Sequence, residues 1–165
     1  IDIGSGPGLP GLAIAIALED IKVLSVEGTG KKANFQKMVI SKAVLANASV
    51  INDRAETLAL EKPFRQRFDI VTARAITELN KLAELCLPFL KTGGLMLAWK
   101  GSKTTAELDS AQNAIKTLGA KVIDTLKYSI DGAAQNDLRI IVIEKISNTP
   151  LQYPRSWAHI SQKPL

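Results

Sequence analysis

Residues able to do chemistry are not spread evenly along this 165-residue chain; they gather where short apolar runs end. The first run, Ile1–Ile3, gives way to Gly4-Ser5-Gly6-Pro7-Gly8-Leu9-Pro10-Gly11, in which four residues are glycine and two are proline. Glycines let the main chain turn tightly and approach a ligand with no side chain between. A nucleotide-type site is therefore expected at this loop. The second run ends in Glu27, a carboxylate that can accept both hydroxyls of a ribose. The third ends in Asn52-Asp53-Arg54-Ala55-Glu56, where Asp53, Ala55 and Glu56 suit the edge of an adenine. The fourth, Phe68–Arg74, closes on a cation whose planar fork matches a carboxylate or a phosphate.

The elements that must position these groups follow from periodicity. Strands are expected at Ile1–Ile3, 22–28, 49–53, 68–74 and 95–101. Between them lie helical patterns at Leu9–Leu18, at Gly30–Ala46 with Phe35, Met38, Val39 and Ala43 on one face, at 55–60, and from Thr77 to Leu90. Pro10 falls in the first helical turn, where its missing N–H costs nothing. Lys91–Gly94 reads as a turn, and 104–118 as a polar helix. Two last strands, 120–130 and 138–146, are joined by a Gly/Asn/Asp-rich link without a helix, so they should pair antiparallel. Alternating β and α with near-continuous apolar strands predicts an α/β fold, a mostly parallel sheet covered on both faces. In such sheets ligands bind beyond the carboxyl ends of the strands, which is where every group named above falls.

Bulk properties narrow the class further. The length fits one domain, read as 1–146, followed by an extended basic tail over 147–165 with three prolines, Trp157, His159 and no acid. Ile1 already lies inside a strand pattern, so the N-terminal part is expected to be missing. No apolar run approaches the roughly 20 residues of a membrane span, and no metal is expected. A lone cysteine, Cys86, cannot make an internal disulfide, and a reducing cytoplasm is the expected setting. The balance of 21 Lys and Arg against 16 Asp and Glu permits a nucleic-acid partner without demanding one.

Gly6-Pro7-Gly8-Leu9-Pro10-Gly11 formally matches the dinucleotide pattern G-x-G-x-x-G. The tightest turn, however, falls at Gly4, giving G-x-G-x-G with Pro7 and Pro10 stiffening the helix entry. That favours S-adenosylmethionine, whose amino-acid end has no pyrophosphate to cradle. No lysine follows the loop as in a phosphate-binding ATPase. Glu27 fits either cofactor class.

Taken together, "DIGSGPGLPGLAIAI", "VEGTGKKANFQKMV", "RAETLA", "FDIVTARAI", "GGLMLAWKG" and "RIIVIEKISNTPLQYPR" resemble the bacterial 16S ribosomal RNA guanine-N7 methyltransferases, the glucose-inhibited division protein B family. The likeness runs from Asp2 to Leu165. It implies a Rossmann-like class I S-adenosylmethionine-dependent methyltransferase with a seven-stranded sheet. It also implies 16S ribosomal RNA, free or in the small ribosomal subunit, as partner. The family's cofactor contacts would fall on Gly4, Leu9, Glu27, Gly28, Thr29, Ala55, Glu56 and Arg74. Members carry further helices before the glycine loop, and the ending "QYPRSWAHISQKPL" has an altered middle, so 156–162 are not assigned to RNA.

The implied reaction is attack of guanine N7 on a sulfonium methyl. N7 carries no proton, so no general base is required, and no catalytic dyad stands out. Methylation of an exocyclic amine would call for an Asn/Asp-Pro-Pro-aromatic signature where "TARAI" stands. Carbon-5 methylation would need a cysteine nucleophile, yet Cys86 sits among Leu82, Leu85 and Phe89 as core filler. His159 is expected to be exposed. Arg74 and Lys100 are the candidates to orient the guanine, with Arg139, Lys145, Arg155 and Lys163 left for phosphates or for nothing specific. Two further readings stay open: a nicotinamide-dependent oxidoreductase on the same loop, and an inactive relative that only binds RNA.

Overall fold

The computed structural model describes residues 1–130 and 137–165. The Gly/Asn/Asp-rich link expected between the last two strands falls largely on 131–136, outside the described residues. Seven strands form one sheet: β1 (Asp2–Ile3), β2 (Val23–Val26), β3 (Ala48–Ile51), β4 (Phe68–Arg74), β5 (Leu90–Lys100), β6 (Ala120–Tyr128) and β7 (Leu138–Lys145). Their order is β3-β2-β1-β4-β5-β7-β6. β1 to β5 run parallel, while β7 pairs antiparallel with both β5 and β6. The chain winds outward from β1 to β3, then returns to β4 on the other side. That reversal puts a switch point between β1 and β4, and the glycine loop opens there.

Two helices, α1 (Gly11–Ala17) and α2 (Gly30–Lys42), pack on β2 and β3. The opposite layer holds α3 (Ala55–Leu58), α4 (Leu79–Cys86), α5 (Thr104–Thr117) and α6 (Trp157–Gln162). β1 separates the layers by simple alternation. Ile3 joins the core formed with Leu79, Leu82, Met96 and Ile141. Asp2 points the other way, where its buried carboxylate accepts the Gly11 amide (2.9 Å) and the Thr72 hydroxyl (2.8 Å). Burial pushes this carboxyl above its usual range. A Cβ on Gly11 would lie 2.8 Å from Asp2 Oδ2, so the start of α1 must be glycine for the helix to sit this close to β1.

Several expectations change in the fold. The helix expected over Thr77–Leu90 is α4 followed by a 3-10 turn at Leu87–Phe89, because Pro88 cannot continue the helical ladder. Lys91–Gly94, expected as a turn, loop out within β5: Leu90 pairs with Phe68 and Leu95 with Ile70. In α2 the expected apolar face is not the buried one, since Phe35 and Met38 stay 45% and 44% exposed while Ala33 and Gln36 are fully buried. Gln36 is drawn inward because it donates to Ser5 Oγ (2.6 Å) and Gly6 O (2.9 Å), bracing the glycine loop. On the α1 face beyond β1, Ile70 and Leu126 remain exposed, so helical cover there is thinner than on the α4 face.

The C-terminal segment is not extended. Tyr153 and Ile160 are buried, and α6 occupies Trp157–Gln162. Arg65 anchors it by donating to the carbonyls of Tyr153 (2.7 Å), Thr149 (3.0 Å) and Pro150 (3.1 Å). Arg155, left above for phosphates, instead grips Glu84: its Nε and Nη2 reach the two carboxylate oxygens at 2.8 and 2.6 Å. Arg139 pairs with Asp137 at 2.9 Å, and His159 is exposed as expected.

Lys145 is likewise unavailable to phosphate, being fully buried with its ammonium on Leu118 O and Thr149 Oγ1. Burial, reinforced by the charge of Arg65, lowers its pKa from 10.5 to about 8. The depressed value means the charged form is disfavoured in the folded state. Between pH 8 and 10.5 the unfolded chain therefore holds a proton that the folded chain has lost, and stability rises with pH. The gain at this site is expected to be on the order of 3 kcal/mol and to be missing in Lys145→Met. Denaturant titrations of both proteins at pH 7.5 and 10 check this; parallel pH dependence in the two would refute it.

Candidate functional site

At the carboxyl ends of β1, β2 and β3 lies a cavity of about 330 Å3. The sequence-expected residues Gly4, Glu27, Gly28, Thr29, Asp53, Ala55 and Glu56 line it together. Leu9 does not; it is 43% exposed on the loop. Arg74 faces a neighbouring cavity instead.

Local sequence explains how the walls are held. β1 ends at Gly4, whose φ of +59° is a left-handed conformation favouring glycine, and a Cβ there would come 2.8 Å from Ile76 Cδ1. The chain can thus turn away from the strand while leaving its backbone bare. Glu27, 6% exposed at the end of β2, accepts the Gly6 amide on Oε2 (2.7 Å) and the Thr29 amide on Oε1 (2.8 Å). One carboxylate therefore ties the glycine loop to the start of α2. A carboxylate has about four acceptor sites, so both oxygens keep capacity for a ligand hydroxyl. Asn52 donates to the Glu27 carbonyl at 2.7 Å and holds the end of β3 alongside. Glu56 is paired with Arg54 at 3.3 Å on the outer wall.

The remaining wall comes from residues that carried no motif. Ile76 follows β4, Leu85 comes from α4, and Trp157 comes from α6. None carries a sequence signal of function: an isolated Ile or Leu reads as core, and Trp157 falls in the segment read as an extended tail. Trp157 arrives only because the Glu84–Arg155 pair and the Arg65 contacts seat the C-terminal segment against α4. Gln36, the brace of the loop, was hidden in the same way by its helix.

The second cavity, about 570 Å3, lies at the ends of β4 and β5 and holds both Arg74 and Lys100. The two cavities meet at Ile76. The Lys100 ammonium is engaged by Glu107 Oε2 (2.6 Å) and the Thr77 carbonyl (2.7 Å). Cys86 is fully buried away from both, and burial pushes its thiol well above the usual range, so the nucleophilic thiolate is suppressed. Among the described residues no helix is long and apolar enough to cross a membrane.

A pocket with a bare loop on one side and a ribose-type acid on the other suits a nucleoside carrying a flexible tail. Comparison with known proteins gives that chemistry a context. Residues 1–135 match the family model GidB, described as rRNA small subunit methyltransferase G. The chain is 39% identical over 165 residues to a ribosomal RNA small subunit methyltransferase G of Clostridium perfringens, covering 100% of this chain and 69% of that protein. A protein of the same name from Limosilactobacillus reuteri is 42% identical, with 99% and 68% covered. Among solved structures, the antibiotic-resistance methyltransferase Kmr aligns with a TM-score of 0.67 at 18% identity, over 88% of this chain and 85% of that one. M. jannaschii TYW2, solved with AdoMet, gives 0.67 at 18% identity over 88% and 68%. At such identities the structures speak for the fold alone.

Proposed function

The chain belongs to the GidB family, rRNA small subunit methyltransferase G, and on that premise we propose that it uses S-adenosylmethionine to methylate N7 of a guanine in 16S ribosomal RNA. The observation that carries this reading is the convergence of Gly4, Glu27, Gly28, Thr29, Ala55 and Glu56 on one cavity that adjoins a second, cation-bearing one. The cofactor fits that lining. Glu27 and the bare backbone at Gly28 would hold its ribose, Ala55 and Glu56 its adenine, and the loop at Gly4 its amino-acid end. When bound, S-adenosylmethionine supplies an electrophilic sulfonium methyl, which the free lone pair of N7 takes directly and in line, the bonding pair staying with sulfur and no proton needing removal.

The protein's own work is then placement. Holding two reactants at near-attack distance is worth about 7–11 kcal/mol, which asks for rigid walls rather than an acid–base pair. Guanine presents N7 and O6 as adjacent acceptors. N7 must keep its lone pair for the methyl, so a donor aimed at O6 orients the base without competing. Arg74, at the end of β4 beside the junction of the cavities, is proposed for that role. Lys100 lies nearby, but its charge is offset by Glu107 at 2.6 Å.

The test is transfer of labelled methyl from S-adenosylmethionine to unmodified 16S RNA and to small subunits, with the product mapped to base and atom. Methyl at guanine N7, with kcat/KM lowered roughly 100-fold in Arg74→Ala, is the expected result, equivalent to about 2.7 kcal/mol. A methyl on an exocyclic amine or a ring carbon would overturn the chemistry. Tighter binding of NADH than of S-adenosylhomocysteine would overturn the cofactor.

A further inference from the structure

The aromatic lining of the second cavity has no part in the reading above. Arg74 and Trp99 are register partners on β4 and β5, so their side chains leave the sheet on one face. Trp99 pairs with Ile140, and Ile140 pairs in turn with Leu126. Tyr128 lies two residues beyond Leu126 and therefore shares that face. A guanidinium and two aromatic rings from three strands thus meet at one rim, in a hollow about 570 Å3 in volume. That volume is within the range of small-molecule sites. The opposite charge in the hollow, Glu107, is already bound by Lys100 and by the Leu79 amide (2.8 Å). Among the described residues Arg74 makes no ion pair.

Flat rings beside a forked cation are what an unstacked base recognises. Many enzymes that act on a base take it unpaired or turn it out of its stack, and single bases stack on aromatic side chains with little regard for sequence. Resting on the methyltransferase reading, we propose that this cavity receives the target purine turned out of the RNA, its ring against Trp99 and Tyr128 and its O6 toward Arg74. The junction at Ile76 then brings the base edge to the cofactor cavity. The two aromatics are specificity-determining residues for a planar ring, and their contacts do not involve the cofactor.

The chain has two tryptophans, and one lines each cavity. In Trp157→Phe the emission reports Trp99 alone; in Trp99→Phe it reports Trp157 alone. With S-adenosylhomocysteine saturating, guanosine 5′-monophosphate is expected to quench the Trp99 reporter and to leave the Trp157 reporter unmoved. S-adenosylhomocysteine itself is expected to shift the Trp157 reporter. On unmodified 16S RNA, Trp99→Ala should raise KM roughly 10- to 100-fold at unchanged S-adenosylhomocysteine affinity, and Trp99→Phe, which keeps a ring, should recover most of the loss. A normal cofactor response with a silent Trp99 reporter would overturn this proposal alone, as would an unchanged KM in Trp99→Ala. No response to S-adenosylhomocysteine from either reporter would overturn the cofactor reading and this proposal with it.

Discussion

Glu27→Ala is expected to lose at least 100-fold in affinity for S-adenosylhomocysteine. The carboxylate serves two purposes, and alanine removes both. It accepts the amides of Gly6 and Thr29 at 2.7 and 2.8 Å, so it fixes the separation between the glycine loop and α2. On the proposed reading it also offers a carboxylate at the end of β2 to the cofactor ribose. A hydrogen bond to a charged group contributes about 1.5–3 kcal/mol, and losing the ribose contacts alone exceeds a factor of 10. The two orphaned amides then let the loop relax away from its bound shape. Glu27→Gln divides the loss. Its amide oxygen still accepts one backbone N–H while its NH2 group meets the other, so about 1–3 kcal/mol of stability should go and affinity should fall by roughly tenfold or more. Calorimetric titration with a melting curve on each variant reads both quantities. Affinity within threefold of wild type in Glu27→Ala would mean that the cavity is not the cofactor site.

The second large effect is expected away from the cavity, at Glu84. This carboxylate is fully buried on α4 and accepts three N–H groups of one residue, the Arg155 amide (2.8 Å), Nε (2.8 Å) and Nη2 (2.6 Å). The Arg155 guanidinium also lies 5.8 Å from the centre of the Tyr153 ring, and the bond to Glu84 raises its pKa further. Removing one member of a fully buried pair costs about 3–5 kcal/mol, because the other is left without compensation. The Arg155 side chain is 25% exposed and its charge can be partly solvated, so Glu84→Ala should lose about 2–3 kcal/mol in denaturant unfolding. It should also redshift Trp157 and weaken cofactor binding, since the C-terminal segment that carries this wall loses its anchor. Glu84→Gln keeps an acceptor and should fall in between. A loss below about 1 kcal/mol in Glu84→Ala would show that the pair is ornamental to the fold, and unchanged Trp157 emission would uncouple it from the cavity.

The two variants mark the division between what could be read in advance and what could not. Glu27 announces itself because its proposed role and the local pattern coincide: an acid closing an apolar strand, one helix downstream of a glycine loop. Glu84 sits within α4, "LNKLAELC", where one acid among leucines looks like a solvated helix position. Nothing nearby in the chain reveals that a guanidinium 71 residues away will enclose it. Lys145 misleads for the same reason, since a lysine at a strand end normally reaches water and here is covered by Thr149 and Leu118. Periodicity misplaces the buried face of α2 because it weighs each side chain by its own polarity. It cannot know that Gln36 has partners waiting in Ser5 and Gly6.

The sequence by itself determined the order of strands and helices as far as β7, the glycine loop at the end of β1 and the acids beyond β2 and β3, because these depend on chain periodicity and on steric needs of single residues. Strand ends in a parallel sheet all reach one rim, so groups placed there are brought near each other by topology alone. Tertiary structure decided the rest. It sent Arg74 to the second cavity beside Trp99, closed the first with Ile76, Leu85 and Trp157, and folded the final residues onto α4. Those outcomes rest on contacts between residues far apart in the chain, whose desolvation and pairing energies exist only once both partners are in place.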